Sequence, residues 1–267
     1  RQMCIRDRDI RTLTKEPEAN YSKEIVFGEF HNKTKNYFSG PKSELPEESG
    51  GWCDYMVELE FFRSMPEGIR KDAWFLTKVT MTGQERNPET GRYPLLDWDD
   101  PATNQKHPYW KKNIESSDWV FNYNDGYYET KGISSASGKT RMIFRYADIL
   151  LLYAEAVAYG SKNIDDLAFD CMWRVQKRAG VPLISKDVTK AYFQKAVLDE
   201  RRWETAGMEH SCMGRFFTMQ RHEILHLQKN YRDAAELSLN PNLTLSEEFY
   251  YFPIPDNELL IVPGLKD

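Results

Sequence analysis

RYADILLLYAEAVA, residues 145–158, is apolar almost all the way round. Ile143, Ala147, Leu150, Ala154 and Val157 recur at steps of three and four, and Leu151 and Ala158 widen that stripe, which predicts a helix. Tyr146, Ile149 and Tyr153 make a second apolar face. The charges of Arg145, Asp148 and Glu155 fall within an arc of about 80° at ~100° per residue. A helix left with so narrow a polar strip belongs between other helices. Ala147, Ala154, Ala156 and Ala158 let neighbouring backbones approach closely, and Gly160 is expected to end the helix as a left-handed residue. The expected fold class is mostly α, an array packed around this helix.

Around it, the chain reads as helix from Thr140 onward. Asp165 and Asp166 occupy a first turn, where carboxylates complement the helix dipole. Ile164, Ala168, Cys171, Val175 and Ala179 form one apolar face, and Arg174, Lys177 and Arg178 precede a stop at Gly180 and Pro182. The short polar loop between these two helices makes them antiparallel neighbours. A third helix is expected over 189–205, with Phe193, Ala196 and Val197 inward, and a fourth over 216–228. The tail, 249–263, holds three prolines and reads as extended and packed over the helices.

Upstream, residues 24–27 read as a strand or buried segment ahead of a turn at Gly28, and 31–51 as a long irregular loop. Residues 54–63 look helical and 72–81 look like a strand. The stretch 83–138 is rich in Pro and aromatics without a sustained period, which predicts ordered loops with small strands such as 118–123. Residues 1–9 have no hydrophobic period and read as a non-native or truncated start. The expected division is a loop-rich, variable, ligand-binding part over 10–139 and a helical scaffold with its tail over 140–267.

The 267 residues carry a net charge of -5, which argues against a nucleic acid partner. No run approaches the ~20 apolar residues of a membrane span. The cysteines, Cys4, Cys53, Cys171 and Cys212, show no metal-ligand or redox spacing, and Cys171 falls on a helix's apolar face as an inert core thiol. Aromatics reach 13%, with 7 Trp and 15 Tyr, a surplus suited to lining a ligand surface.

RYADILLLYAEA, then QKRAG at 176–180, DERRWE at 199–204 and FPIPDNE at 252–258 together resemble the C-terminal half of the SusD/RagB family, in family order. KEIVFGEF at 23–30 and FFRSMPEGIRKDAWF at 61–75 add fainter matches. The chain departs from the family's pattern at Trp173, where Asn is usual, at Gln176, where Arg is usual, and at Thr218, where Asp is usual. The resemblance implies tetratricopeptide-like helix pairs carrying a loop-rich, small-strand ligand lobe. It also implies a surface lipoprotein of Bacteroidetes that captures oligosaccharide or polysaccharide at the outer membrane. The implied partner is a SusC-like TonB-dependent transporter. Family members are about twice this length, so the chain reads as a fragment whose lipid-anchored cysteine lies upstream.

A pyranose ring packs its C–H groups on an indole or phenol face and needs polar partners at the rim. Trp52, Trp74, Trp98, Trp110 and Trp119, with Tyr37 and Tyr109, are the candidate platforms, although the ordinary fate of any single Trp is to plug its loop onto the core. Trp173 and Trp203 lie on scaffold helices and read as packing. Arg145, Tyr146, Asp148, Glu155, Glu200, Arg201, Arg202 and Glu204 read as structural, chiefly as ion pairs clamping helices. Asp97, Asp99 and Asp100 resemble a glycosidase's acids, but such acids must face one another across a bond, and sequence neighbours rarely do.

His222-Glu223-Ile224-Leu225-His226 has the HExxH form, which on a helix binds zinc with the Glu as base. A third ligand would have to come from Glu236, Glu247 or Glu248. The expectation is a coincidental match, no metal and no cofactor. The expected function is therefore non-catalytic glycan capture. The alternatives are a zinc metallopeptidase through His222, Glu223 and His226, and a helical-repeat scaffold whose ligand is a protein.

Overall fold

The computed structural model describes residues 9–15, 18–32, 34, 40–112, 119–122, 124–130, 137–207, 211–239, 253–262 and 264. Two 3-10 turns, Ile10–Leu13 and Glu18–Tyr21, lead into strand β1 (Ile25–Glu29). Gly28 lies inside this strand, not at a turn, and Val26 and Phe27 are exposed. Helix α1 (Gly40–Ser43) and a 3-10 turn at Glu47–Ser49 punctuate the long loop. Helix α2 (Leu59–Ser64) begins five residues later than its periodicity suggests. Cys53 is left-handed at φ 55° and the Val57 N–H donates to the Pro108 carbonyl at 3.2 Å, so 54–58 is held from outside.

Helix α3 (Ile69–Trp74) takes the first three residues of the expected 72–81 strand. Arg70, Ala73 and Trp74 are all buried, and that spacing suits a helix. The strand character survives in β2 (Phe75–Leu76) and β3 (Lys78–Thr80), followed by β4 (Leu95–Asp97), β5 (Tyr109–Trp110), β6 (Trp119–Phe121), β7 (Tyr128–Thr130) and β8 (Arg141–Arg145). Among the described residues these form four antiparallel two-stranded sheets: β1 with β8, β2 with β5, β3 with β4, and β6 with β7.

The scaffold is helix α4 (Tyr146–Tyr159), α5 (Asp166–Ala179), α6 (Lys190–Glu204) and α7 (Ser211–Arg221), then the short α8 (Ala234–Leu239) and α9 (Asp256–Ile261). The architecture is mostly α with small sheets, as the sequence predicts. Residues 141–145 are a correction: they pair with β1, and Ile143 stands on a strand rather than on the helix stripe. Helix α4 packs between α5 and α6 through Ala147, Leu150, Leu151, Ala154 and Ala158, against Phe169, Met172 and Phe193.

The polar arc of α4 points inward. Asp148 and Glu155 are buried, whereas Ile149 and Tyr153 of the second apolar face are exposed. At its start the Arg145 N–H donates to the Asp148 carboxylate at 2.8 Å. It ends at Gly160 in an extended conformation (φ −72°, ψ 172°), not a left-handed one. Helix α5 starts with Asp165 accepting from the Ala168 N–H at 2.8 Å and stops at Gly180 with φ 71°. A Cβ at Gly180 would lie 3.2 Å from the Ile69 nitrogen, so this glycine also lets the N-terminus of α3 abut the end of α5.

Two departures from the family pattern meet at one residue. The Trp173 indole N–H donates to the Ile184 carbonyl at 2.7 Å, and Gln176 Oε1 accepts from the Ile184 N–H at 2.9 Å. They pin the connection between α5 and α6. Helix α7 starts and ends before the predicted 216–228, because Glu223 at φ 56° breaks it. In the tail, 256–261 is helical, not extended, and Leu260 and Ile261 are exposed rather than packed over the scaffold.

Candidate functional site

Trp52 follows the turn at Gly50 and Gly51, and its N–H donates to the Lys42 carbonyl at 2.8 Å. The left-handed Cys53 tucks its thiol toward the core while Trp52 and Tyr55 stay 51% and 49% exposed. Met56 is exposed beside them in sequence. The Lys42 ammonium lies 5.6 Å from the Trp52 ring centroid. The segment 52–56 thus offers exposed apolar side chains, with a cation over the Trp52 ring. Tyr55 and Met56 were hidden in the sequence by their apparent helical spacing.

The other candidate platforms divide. Trp74 and Tyr109, 1% and 0% exposed, are core residues and are corrected to packing roles. The Trp74 indole donates to the Trp203 carbonyl at 3.0 Å, and the Lys112 ammonium covers its ring at 3.8 Å. Trp98 is half-buried, edge-on to Phe62 at 5.9 Å, and Trp110 is half-buried 5.3 Å from Phe75. Trp119 is placed by its backbone in β6, opposite Thr130, and Tyr37 lies outside the described residues.

Phe62 and Phe75 also line a cleft of ≈ 510 Å³ between α2, α3 and the small sheets, reached by Lys71, Lys78, Lys111 and Phe121. Its walls come from segments distant in sequence. The Lys71 ammonium sits 4.5 Å over the Phe62 ring and 2.6 Å from Glu67, and the Lys111 ammonium sits 4.2 Å over Phe121 and donates to the Asp72 carbonyl at 3.2 Å. Asp97 of the acidic trio pairs with Lys78 at 2.6 Å, and Asp100 accepts from the Ala102 N–H in a turn, so these acids do not face one another as a catalytic pair.

Behind the cleft, a buried ion cluster ties the elements together. Glu204 accepts from Arg145 at 2.9 Å, Arg178 at 2.5 Å and Arg70 at 3.2 Å. Arg70 also pairs with Glu200, and Arg178 with Glu24. Three guanidiniums and three carboxylates therefore balance within the protein. Burial alone would raise the Glu204 pKa, but Arg178, Arg145 and Arg70 outweigh it and hold the carboxyl down to about 2. Because Arg70 belongs to α3, the same cluster sets the position of Lys71.

A second cluster surrounds Glu155, which accepts from Arg221 at 2.7 Å and pairs with Arg201 at 3.0 Å. Desolvation opposes ionisation of Glu155, yet these cations lower its pKa. Arg201 reaches Thr218 at 3.5 Å, where the family pattern has an acid. Arg202 belongs to neither: it reaches Asp199 at 3.4 Å and Ser64 at 3.3 Å. Tyr146 lies with Arg174 at 5.3 Å from its ring.

His222 Nε2 is 2.8 Å from Glu155 Oε1, and its ring lies 4.1 Å from that of Tyr159. His226 falls in a separate 3-10 turn, Leu225–Tyr231, so the two imidazoles do not share a helix. Glu236 is occupied by His107 at 2.5 Å, while Glu247 and Glu248 lie outside the described residues. Among the described residues no group of three metal-ligating side chains converges, and no helix is long and apolar enough to cross a membrane.

Comparison with known proteins places the architecture. A SusD superfamily protein from Parabacteroides distasonis matches with TM-score 0.68 and 17% identity over 95% of this chain and 51% of its own. A SusD superfamily protein from Bacteroides vulgatus matches with TM-score 0.63 and 20% identity over 96% of this chain and 52% of its own. The surface glycan-binding protein A from Bacteroides thetaiotaomicron, solved in complex with laminarihexaose, gives 0.59 and 17% over 96% and 54%. The chain thus spans about half the length of these structures, and no curated protein matches it. The SusD family model matches residues 23–267, and the chain belongs to the SusD family.

Proposed function

We propose that this chain is the glycan-capturing part of a cell-surface binding protein, working without bond chemistry. It hands oligosaccharide to a SusC-like TonB-dependent transporter while a lipid anchor elsewhere in the protein holds it at the outer membrane. Family membership and the glycan-binding names of its structural neighbours support this reading. The observation that carries it is the exposed Trp52–Tyr55 segment. Its two rings stay half in water although the protein has buried Trp74, Tyr109 and Tyr128 elsewhere. Leaving such rings half in water forgoes about half of the ~1.5–3 kcal/mol that full burial of a large apolar side chain gives, a cost that a ligand recovers.

The test is calorimetry of the chain against neutral and acidic oligosaccharides, with Trp52→Ala alongside. Binding that weakens about tenfold in Trp52→Ala is the expected result for a central aromatic anchor. Silence across the panel refutes glycan capture by this part of the protein. The transporter arm is checked by co-purification of the membrane-anchored protein with a barrel partner.

A further inference from the structure

We propose that the cleft between α3 and β6 is a separate sugar position, one that accepts an anionic pyranoside carrying a carboxylate or a sulfate ester. The proposal rests on the glycan-binding reading above and names a substrate class within it. Two buried ammoniums shape the cleft. Lys71 is 8% exposed in its side chain, and Lys111 is likewise buried. The acids nearby face outward: Glu67 is 84% exposed in its side chain, and Asp72 and Asp97 are exposed too. Attraction to the lysines therefore acts through protein, while repulsion from the acids acts largely through water. The effective dielectric differs by about fourfold between those paths. Among the described residues, Arg11, Lys71, Lys78 and Lys111 line the cleft against Glu67 and Asp72, in a chain whose net charge is -5.

The rings of the cleft argue against a neutral sugar stacked in the usual way. Lys71 lies over Phe62. Phe121 has Lys111 over its face and Tyr128 in a parallel stack at 6.2 Å and 12°. These rings hold ammoniums through their negative faces. What the walls present is N–H donors and positive charge, which suit an acceptor-rich anion. Glu67 takes one of the three donors that the Lys71 ammonium carries. An anion entering the cleft competes with a solvent-screened carboxylate for that ammonium. The ≈ 510 Å³ volume lies within the range of small-ligand sites. Helix α3 is fixed on its other side by buried Arg70 and Trp74, so the lysine is held in place before the ligand arrives.

The test compares a uronate oligosaccharide, its carboxyl-reduced counterpart with the same backbone, and a sulfated oligosaccharide, by calorimetry on the unaltered chain. The expected result is that one or both anionic ligands bind about tenfold or more tighter than the reduced one, with an affinity that falls as salt rises from about 20 to about 500 mM. The two anionic arms tell carboxylate from sulfate. Lys71→Met and Lys111→Met should each remove most of that preference, and Lys71→Arg should keep it. Equal binding of the anionic and carboxyl-reduced sugars overturns this proposal and leaves glycan capture standing. Failure of every sugar to bind overturns both. Because the matched pair is read on the unaltered protein, a misfolded variant does not shield the proposal.

Discussion

Glu204→Gln removes one charge from the buried cluster without changing its shape. Arg70, Arg145 and Arg178 then lose the carboxylate they share and keep Glu24, Glu200 and, beside Arg145, Asp148, so the interior gains one net positive charge. Two routes give the magnitude. Breaking a buried ion pair from one side costs about 3–5 kcal/mol. Independently, the carboxyl is held at about 2 against an ordinary 4.5, and at about 1.4 kcal/mol per pH unit this is about 3 kcal/mol. The sign follows from linkage. The folded pKa lies below the unfolded one, so the contribution is complete above about pH 4.5 and drains away as pH falls toward 2.

The assay is urea unfolding of the parent and Glu204→Gln, followed by circular dichroism at pH 7 and pH 3. At pH 7 the midpoint should drop by roughly 1 M for an m-value of about 3 kcal/mol/M. The gap between the two proteins should shrink by about half at pH 3, because the parent has begun to lose what the variant never had. A gap that stays the same at both pH values, or a variant as stable as the parent at pH 7, would refute the role given to this carboxylate.

Other outcomes follow from single positions. Gly180→Ala forces a left-handed φ of 71° and a Cβ 3.2 Å from the Ile69 nitrogen, which should cost about 1–2 kcal/mol in the same unfolding assay. Trp74→Phe strands the Trp203 carbonyl and loosens Lys112, with an expected loss of about 2–3 kcal/mol and no change in sugar affinity beyond what lost folding explains. Burial, with Glu47 and Glu48 adding to it, pushes the Cys53 thiol up to about 11. Iodoacetamide at pH 8, read by peptide mass spectrometry, should therefore leave Cys53 unmodified in the folded protein. Zinc should show no stoichiometric binding that is lost in His226→Ala, since the 222–226 segment is split between a turn and a 3-10 helix; such binding would revive the peptidase reading.

Local periodicity located the scaffold well. The Ala- and Leu-rich run, the Asp165 cap and the Gly180 stop describe α4 and α5 nearly as they stand, because hydrogen bonding four residues back and capping depend on near neighbours. The four C-terminal motifs carried the family resemblance for the same reason: their spacing is preserved along the chain. Aromatic content was a weaker guide. It pointed to a ligand surface but ranked the buried Trp74 and Tyr109 beside the exposed Trp52. Composition carries no information on which ring finds a partner.

Only the tertiary structure decided the direction in which α4 turns its charges. A narrow charged arc beside a broad apolar one can face water or a matching set of ions, and helix period does not choose between them. The choice was made by Glu24 and Glu204, which pair with Arg145, and by Arg201 and Arg221, which pair with Glu155; all four arrive from other segments. The cleft had the same origin, since Phe62, Lys71, Lys111 and Phe121 meet only once α3 and the small sheets are packed. Sequence by itself determined the long helices α4, α5 and α6, whose hydrogen bonds are local. Packing decided which charges are buried and which surfaces are free, because electrostatics and exposure depend on distance in space rather than along the chain.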